Sequence, residues 1–88
     1  MSKLLNNKTL GENIKRIRLC CGLTQEQTVT KLQVLGSPIS RSTYSIIEMG
    51  KGNIYVNDLV GLHTVFNVDY EEFFKDISPS RNPKHSST

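Results

Sequence analysis

The sequence predicts an all-α fold of five short helices in a single domain. Three kinds of signal lead to this prediction. Apolar residues recur at spacings of three and four, hydrophilic capping residues precede the runs, and glycine, proline or asparagine follows them. No stretch of the 88 residues carries a strand signal. A chain of this length buries about 60–65% of the surface that it exposes when unfolded, so we expect a small core.

The first helix is predicted over residues 9–21. Thr9 and Glu12 have the spacing of a capping box, and Gly22 is placed to end the helix in the left-handed conformation. The apolar positions follow one another at spacings of four, three and four, which places them on one helical face. They are Leu10, Ile14, Ile17 and Cys21.

The second helix follows at once, and Thr24 with Gln27 again predicts a capping box. Gly36-Ser37-Pro38 predicts its end, because proline disfavours helical geometry in the residue before it. Thr28 lies at the edge of the predicted inner stripe. The stripe itself consists of Val29, Leu32 and either Val34 or Leu35.

The third helix is predicted from Arg41 to Met49, with Ser40 as its N-cap. Tyr44 and Ile47, three residues apart, face inwards, and the sequence Gly-Lys-Gly-Asn at 50–53 is a break. Helices 2 and 3 joined by a turn are typical of helix-turn-helix modules.

Two more helices are predicted before a polar, proline-broken tail. The fourth runs over residues 57–66 and ends at Asn67, and the fifth is short and capped by Asp69, with Glu72 at its third position. Their core-facing side chains are Leu59, Leu62, Val65, Phe66, Phe73 and Phe74. His63 is interpreted as a packed side chain and not as a ligand.

Charge is distributed unevenly along the chain. Residues 1–56 carry eight basic and three acidic side chains, a net charge of +5, whereas residues 57–77 carry one basic and five acidic side chains, a net charge of −4. A basic front half indicates an anionic partner for that half of the chain.

Several classes of function are disfavoured by the sequence. Cys20 and Cys21 are adjacent, which makes a disulfide between them unfavourable, and two cysteines without suitably spaced histidines do not make a zinc site. Glu71 and Glu72 lie near a helix start, where the helix dipole favours carboxylates without any catalytic role. The absence of a long apolar run and of a signal peptide predicts a cytoplasmic protein. We therefore expect no enzyme, no metal, no cofactor, no small-molecule ligand and no membrane partner.

Three segments together resemble one protein family. They are LGENIKRIRLCCGLTQEQ, ISRSTYSIIEMGKGN and DLVGLHTVFNVDYEEFF, and they are similar to the Cro/C1-type (XRE-type) helix-turn-helix family of repressors. The resemblance implies a five-helix, lambda-repressor-like DNA-binding domain over residues 9–76. An N-terminal arm is expected over residues 1–8, and a disordered tail over residues 77–88.

The resemblance also implies roles for individual residues. The third helix would lie in the major groove of double-stranded DNA. The positions that match base-reading residues, or that face outwards one turn on, are Arg41, Ser42, Ser45 and Ile46. The candidate phosphate contacts are Gln25, Ser40, Thr43 and Lys51. Arg18 and Glu48 match a pair that forms an internal salt bridge in the family. The resemblance also implies that the protein binds DNA as a homodimer and acts as a repressor.

Some positions depart from the family pattern and leave an alternative open. The segment between Leu32 and Ser40 is about five residues longer than in the compact version. Ile46 and Met49 stand where polar residues are common, so Ile46 could pack on a thymine methyl group. With Tyr55, these two residues could instead form an apolar patch for a protein partner, as in an interaction module or an antitoxin-like protein.

Overall fold

The computed structural model describes residues 7–77, together with the backbone of residues 3–4. These residues form five helices and two short strands. In chain order the elements are β1 Lys3–Leu4, α1 Lys8–Cys20, α2 Gln25–Val34, α3 Arg41–Glu48, β2 Ile54–Tyr55, α4 Val56–Phe66 and α5 Tyr70–Phe73. The predicted five-helix, all-α class is confirmed. The predicted tail beyond residue 77 lies outside the described residues, as does most of the predicted N-terminal arm.

Helix α1 begins earlier than the sequence predicts. Asn7 is its N-cap, and the Oδ1 atom of Asn7 accepts a hydrogen bond from the Leu10 backbone nitrogen at 2.8 Å. The predicted capping box of Thr9 and Glu12 is therefore wrong, since Thr9 already lies in the first turn. Asparagine is a stronger N-cap than threonine, which accounts for the earlier start.

Helix α2 begins and ends as predicted. The Thr24 hydroxyl accepts from the Gln27 backbone nitrogen at 3.0 Å, and the Gln27 Oε1 atom accepts from the Thr24 backbone nitrogen at 2.9 Å. After the helix, Gly36 has a φ of +100°, and the Ser37 nitrogen donates to the Leu32 carbonyl at 3.0 Å. Together with the bond from the Gly36 nitrogen to the Gln33 carbonyl at 2.9 Å, this bond forms a Schellman motif, which turns the chain towards α3.

A two-stranded antiparallel sheet is present where no strand was predicted. Lys3 pairs with Tyr55 and Leu4 pairs with Ile54. Two-residue strands are too short to produce a visible alternation, which is why the sequence pattern missed them. The Ile54 side chain itself is only 1% exposed and belongs to the core between the helices.

One hydrophobic core joins all five helices. Its buried members are Leu10, Ile14, Ile17, Val29, Leu32, Ile39, Tyr44, Ile47, Ile54, Leu59, Leu62, Phe66 and Phe73. Val65 and Ile77 are partly buried against it, so Ile77 belongs to the packed domain although it was predicted as the first tail residue.

Three predicted core positions are exposed instead, and each lies near the end of a helix. They are Cys21, Phe74 and the position predicted as either Val34 or Leu35, since both of these residues are exposed. In contrast, Thr28 was predicted at the edge of the core and is fully buried. Its hydroxyl donates to the Thr24 carbonyl at 2.9 Å, so its polar group is satisfied inside the helix.

The recognition-helix candidate α3 is held from behind by α1. Gly11 of α1 lies against the backbone at the end of α3, so close that a Cβ atom there would be 2.5 Å from the Ile47 carbonyl oxygen. At the other end of the chain, α5 is fixed to α1 by buried Asn13. Its Nδ2 atom donates to the carbonyls of Phe73 at 2.9 Å and Lys75 at 2.7 Å.

Candidate nucleic-acid interface

The outer face of α3 forms a shallow surface depression with the start of α2. Its volume is about 400 Å³, and it is lined by the four predicted base-reading residues and one predicted phosphate contact: Arg41, Ser42, Ser45, Ile46 and Gln25. Arg41 and Ser42 are exposed at the N-terminal end of the helix, and Ile46 is 40% exposed one turn further on. The structure therefore brings polar side chains and one apolar side chain together on the outer face of α3.

Two other predicted phosphate contacts lie beside this depression at the N-terminus of α3. The Ser40 hydroxyl caps the helix by accepting from the Thr43 backbone nitrogen at 3.2 Å, and it donates to the Thr43 hydroxyl at 3.1 Å. Both residues border a second groove of about 370 Å³, together with Asn53 and Tyr55. Lys51 is exposed in the loop after α3. Lys51 lines neither this groove nor the depression on α3.

Arg18 and Glu48 form a buried ion pair behind α3. Arg18 Nε lies 2.7 Å from Glu48 Oε2, and Arg18 Nη2 lies 3.1 Å from Oε1. Arg18 Nη1 also donates to the Leu23 carbonyl at 2.8 Å. The pair thus connects α1, the α1–α2 loop and α3 through two side chains that are less than a tenth exposed.

The pair shifts the pKa values of its members away from neutrality. Hydrogen bonding to Glu48 raises the pKa of Arg18 despite burial. Burial opposes the charged form of Glu48, but the bonds from Arg18 and Gln25 and the nearby Tyr44 hydroxyl outweigh it, so the pKa of Glu48 is lowered. Burial raises the pKa of Tyr44, whose hydroxyl lies near Glu48 without a hydrogen bond of standard geometry.

Gln25 has a protein partner that the sequence did not reveal. Its Nε2 atom donates to Glu48 Oε1 at 3.0 Å. The two residues are 23 positions apart, and no local spacing signals a contact over that distance. The side chain at the predicted phosphate contact is therefore bound to the predicted structural ion pair.

Ile46 is supported from one side by the loop that follows α3. A Cβ atom at Gly52 would lie 2.8 Å from Ile46 Cγ2, so the Gly52 backbone packs directly against this side chain. A β-branched side chain in a helix also has one strongly preferred rotamer. Ile46 consequently presents a fixed apolar surface inside the depression.

The three residues of the predicted apolar patch do not line one shared cavity. Ile46 borders the depression with Arg41, and Tyr55 borders the groove with Ser40. Met49 is 53% exposed and lines neither of these two cavities.

The other singled-out side chains occupy structural or peripheral positions. Cys20 and Cys21 are free, exposed thiols. His63 is half-buried, its Nδ1 atom lies 2.7 Å from the Val68 carbonyl, and its ring stacks on Tyr70. Over residues 7–77, no group of three potential metal-ligating side chains comes together. In the same part of the chain, every helix is too short or too polar to cross a membrane.

Comparison with known proteins supports the fold. No protein-family model matches the sequence, and no curated protein sequence matches it significantly. Among solved structures, the chain is similar to the restriction-modification controller protein C.AhdI from Aeromonas hydrophila, with a TM-score of 0.67 and 22% sequence identity. The match covers 76% of this chain and 94% of that chain. At this identity the likeness establishes a shared all-α, helix-turn-helix fold.

Proposed function

We propose that this protein binds double-stranded DNA sequence-specifically through α3 and regulates transcription as a repressor. The observation that carries the proposal is the depression in which Arg41, Ser42, Ser45 and Ile46 meet Gln25 at the start of α2. Regulation is supported by the shared fold with a protein described as a restriction-modification controller. The basic front half of the chain supports an anionic partner.

Each residue in the depression has a chemical role in this proposal. Arg41 donates two hydrogen bonds to guanine O6 and N7, which contributes about 1–3 kcal/mol of discrimination. Ser42 and Ser45 contact base edges, and Ile46 packs on a thymine methyl group. Gln25, Ser40, Thr43 and Lys51 contact the phosphate backbone and fix the register of the helix.

The short length of α3 favours binding as a homodimer. Eight residues extend over about 12 Å at 1.5 Å per residue, so one helix covers only a half-site. Two copies reading half-sites about one helical turn apart would supply the missing affinity and specificity.

The proposal is tested by selecting bound duplexes from a random-sequence DNA pool, sequencing them, and measuring affinities by fluorescence anisotropy at two salt concentrations. For Arg41→Ala, we expect at least about tenfold weaker binding to the selected motif and loss of preference at one guanine. Lys15→Ala is the matched control, because Lys15 is exposed on a separate depression with Glu12 and Leu19. It removes the same charge and should leave base preference unchanged.

Two results would contradict the proposal. If the wild-type protein selects no motif, or if Arg41→Ala and Lys15→Ala have equal effects, α3 does not read sequence. Binding that weakens steeply with salt but shows no motif would indicate attraction to phosphates alone.

A further inference from the structure

Among the candidate phosphate contacts, Gln25 is distinguished by its bond to a buried ion pair. Glu48 Oε1 accepts from Gln25 Nε2 at 3.0 Å and from Arg18 Nη2 at 3.1 Å. Glu48 Oε2 accepts from Arg18 Nε at 2.7 Å. The carboxylate that receives these bonds is buried, while Gln25 is half-buried and reaches the surface depression beside Arg41.

This bond fixes which way the Gln25 amide faces. An ionised carboxylate only accepts hydrogen bonds, so the amide nitrogen must point towards Glu48 and the amide oxygen must point elsewhere. The lowered pKa of Glu48 keeps the carboxylate ionised at neutral pH. One N–H of the amide is then engaged, and the second N–H remains for a partner at the surface.

We infer that Glu48 is a positioning residue that prepares Gln25 for a hydrogen bond to a DNA phosphate. The inference rests on the proposed DNA-binding function and adds a role to Glu48 beyond its pairing with Arg18. Glu48 restricts the Gln25 side chain before DNA arrives, so less rotamer entropy is lost on binding. Gln25 is also the first residue of α2, where the free backbone N–H groups favour an anion at the same place.

A double-mutant cycle in the full chain tests the coupling. One arm is Gln25→Ala, and the other replaces both charges of the ion pair, Arg18→Met with Glu48→Met. The paired replacement leaves the net charge unchanged and avoids a buried unpaired charge, and the far-ultraviolet circular dichroism spectrum of the variant checks that it is folded. Affinity is measured on a random-sequence duplex of about 20 base pairs, because a phosphate contact does not depend on sequence.

We expect Gln25→Ala to weaken binding about fivefold in the wild-type background. In the charge-free background, the same substitution should change affinity less than about twofold, since the amide is no longer prepared. Equal losses in the two backgrounds would overturn the inference. Glu26→Gln is the matched control, because Glu26 is an exposed carboxylate next to Gln25 in the first turn of α2. It should leave the effect of Gln25→Ala intact.

A second measurement requires no variant and no DNA. In the free wild-type protein, the side-chain amide of Gln25 should show an NMR order parameter near the value of rigid backbone, about 0.85. A value below about 0.6 would overturn the inference, since a mobile amide is not positioned. Absence of any DNA binding by the folded protein would overturn the proposed function as well, whereas DNA binding with an additive cycle overturns only this role of Glu48.

Discussion

Replacing Gly11 with alanine is expected to destabilise the protein, although alanine is the better helix former. Within a helix, alanine is favoured over glycine by about 1 kcal/mol. In α1, however, the new Cβ would lie 2.5 Å from the Ile47 carbonyl oxygen, 2.6 Å from the Glu48 carbonyl oxygen and 2.9 Å from the Gly50 nitrogen. Ordinary Cβ contacts begin at 3.4 Å, so α1 and the end of α3 would have to separate by about 0.9 Å.

The magnitude follows from the type of atom that is contacted. Overpacking costs about 1–3 kcal/mol when side chains can adjust, and backbone atoms adjust least, so the upper end applies. After subtraction of the gain in helix propensity, we expect a net loss of about 2 kcal/mol in unfolding free energy. For a domain of this size, the melting temperature should fall by about 8–16 °C.

The assay is thermal and urea-induced unfolding followed by far-ultraviolet circular dichroism, with Gly61→Ala as the matched control. Gly61 also lies within a helix, but its added Cβ would meet only the Leu32 Cδ2 atom, at 2.8 Å. The Leu32 side chain is buried but adjusts more readily than backbone atoms, so Gly61→Ala should destabilise the protein less than Gly11→Ala does. If Gly11→Ala unfolds at or above the wild-type temperature, the close packing of α1 on α3 is refuted.

Three further predictions follow from individual contacts. The pKa of Glu48 is lower in the folded than in the unfolded protein, so the unfolded state binds more protons as the pH falls below the ordinary value of 4.5. The unfolding free energy should therefore decrease as the pH falls below about that value. Urea unfolding across about pH 3–7 checks this for the wild type and for the double variant Arg18→Met with Glu48→Met. We expect a flatter pH profile for the variant, because it lacks the Glu48 carboxylate. Asn13→Ala removes both side-chain bonds to the carbonyls at the end of α5, so amide hydrogen exchange in α5 should accelerate more than in α2. Gly52→Ala should displace Ile46. Replacing thymine by deoxyuridine in the duplex should therefore lower the affinity, measured by fluorescence anisotropy, less for the variant than for the wild type. An equal loss of affinity in the two proteins would contradict the support of Ile46 by Gly52.

The features that capping patterns and periodicity predicted correctly depend on residues close together in the sequence, whereas the Arg18–Glu48 pair was predicted only by the family resemblance. The capping box of Thr24 and Gln27 and the Ser40 cap each involve groups three positions apart. The inward-facing Tyr44 and Ile47 follow from helical periodicity alone. Local chemistry therefore determined the start of α2, the start of α3 and the buried face of α3.

The features that were missed depend on groups distant in the sequence or on where a helix stops packing. Val34 continues the apolar pattern of α2 but is 81% exposed. Periodicity shows on which face of the helix a side chain lies, and it does not show whether another element packs against that face. The bond from Gln25 to Glu48 and the pairing of Leu4 with Ile54 join residues 23 and 50 positions apart. Only the tertiary structure brings such groups together.

The two faces of α3 separate the residues that hold the helix in the domain from the residues that can be exchanged without loss of stability. Tyr44, Ile47 and Glu48 fasten the helix to the rest of the domain, whereas Arg41 and Ser42 are exposed and absent from the core. Exchanges at exposed positions usually alter stability by no more than about 0.5 kcal/mol. Under the proposed function, exchanges at Arg41 and Ser42 would therefore change the preferred DNA sequence while the packing of the domain stays the same, which makes these two positions the starting point for redesigning that preference.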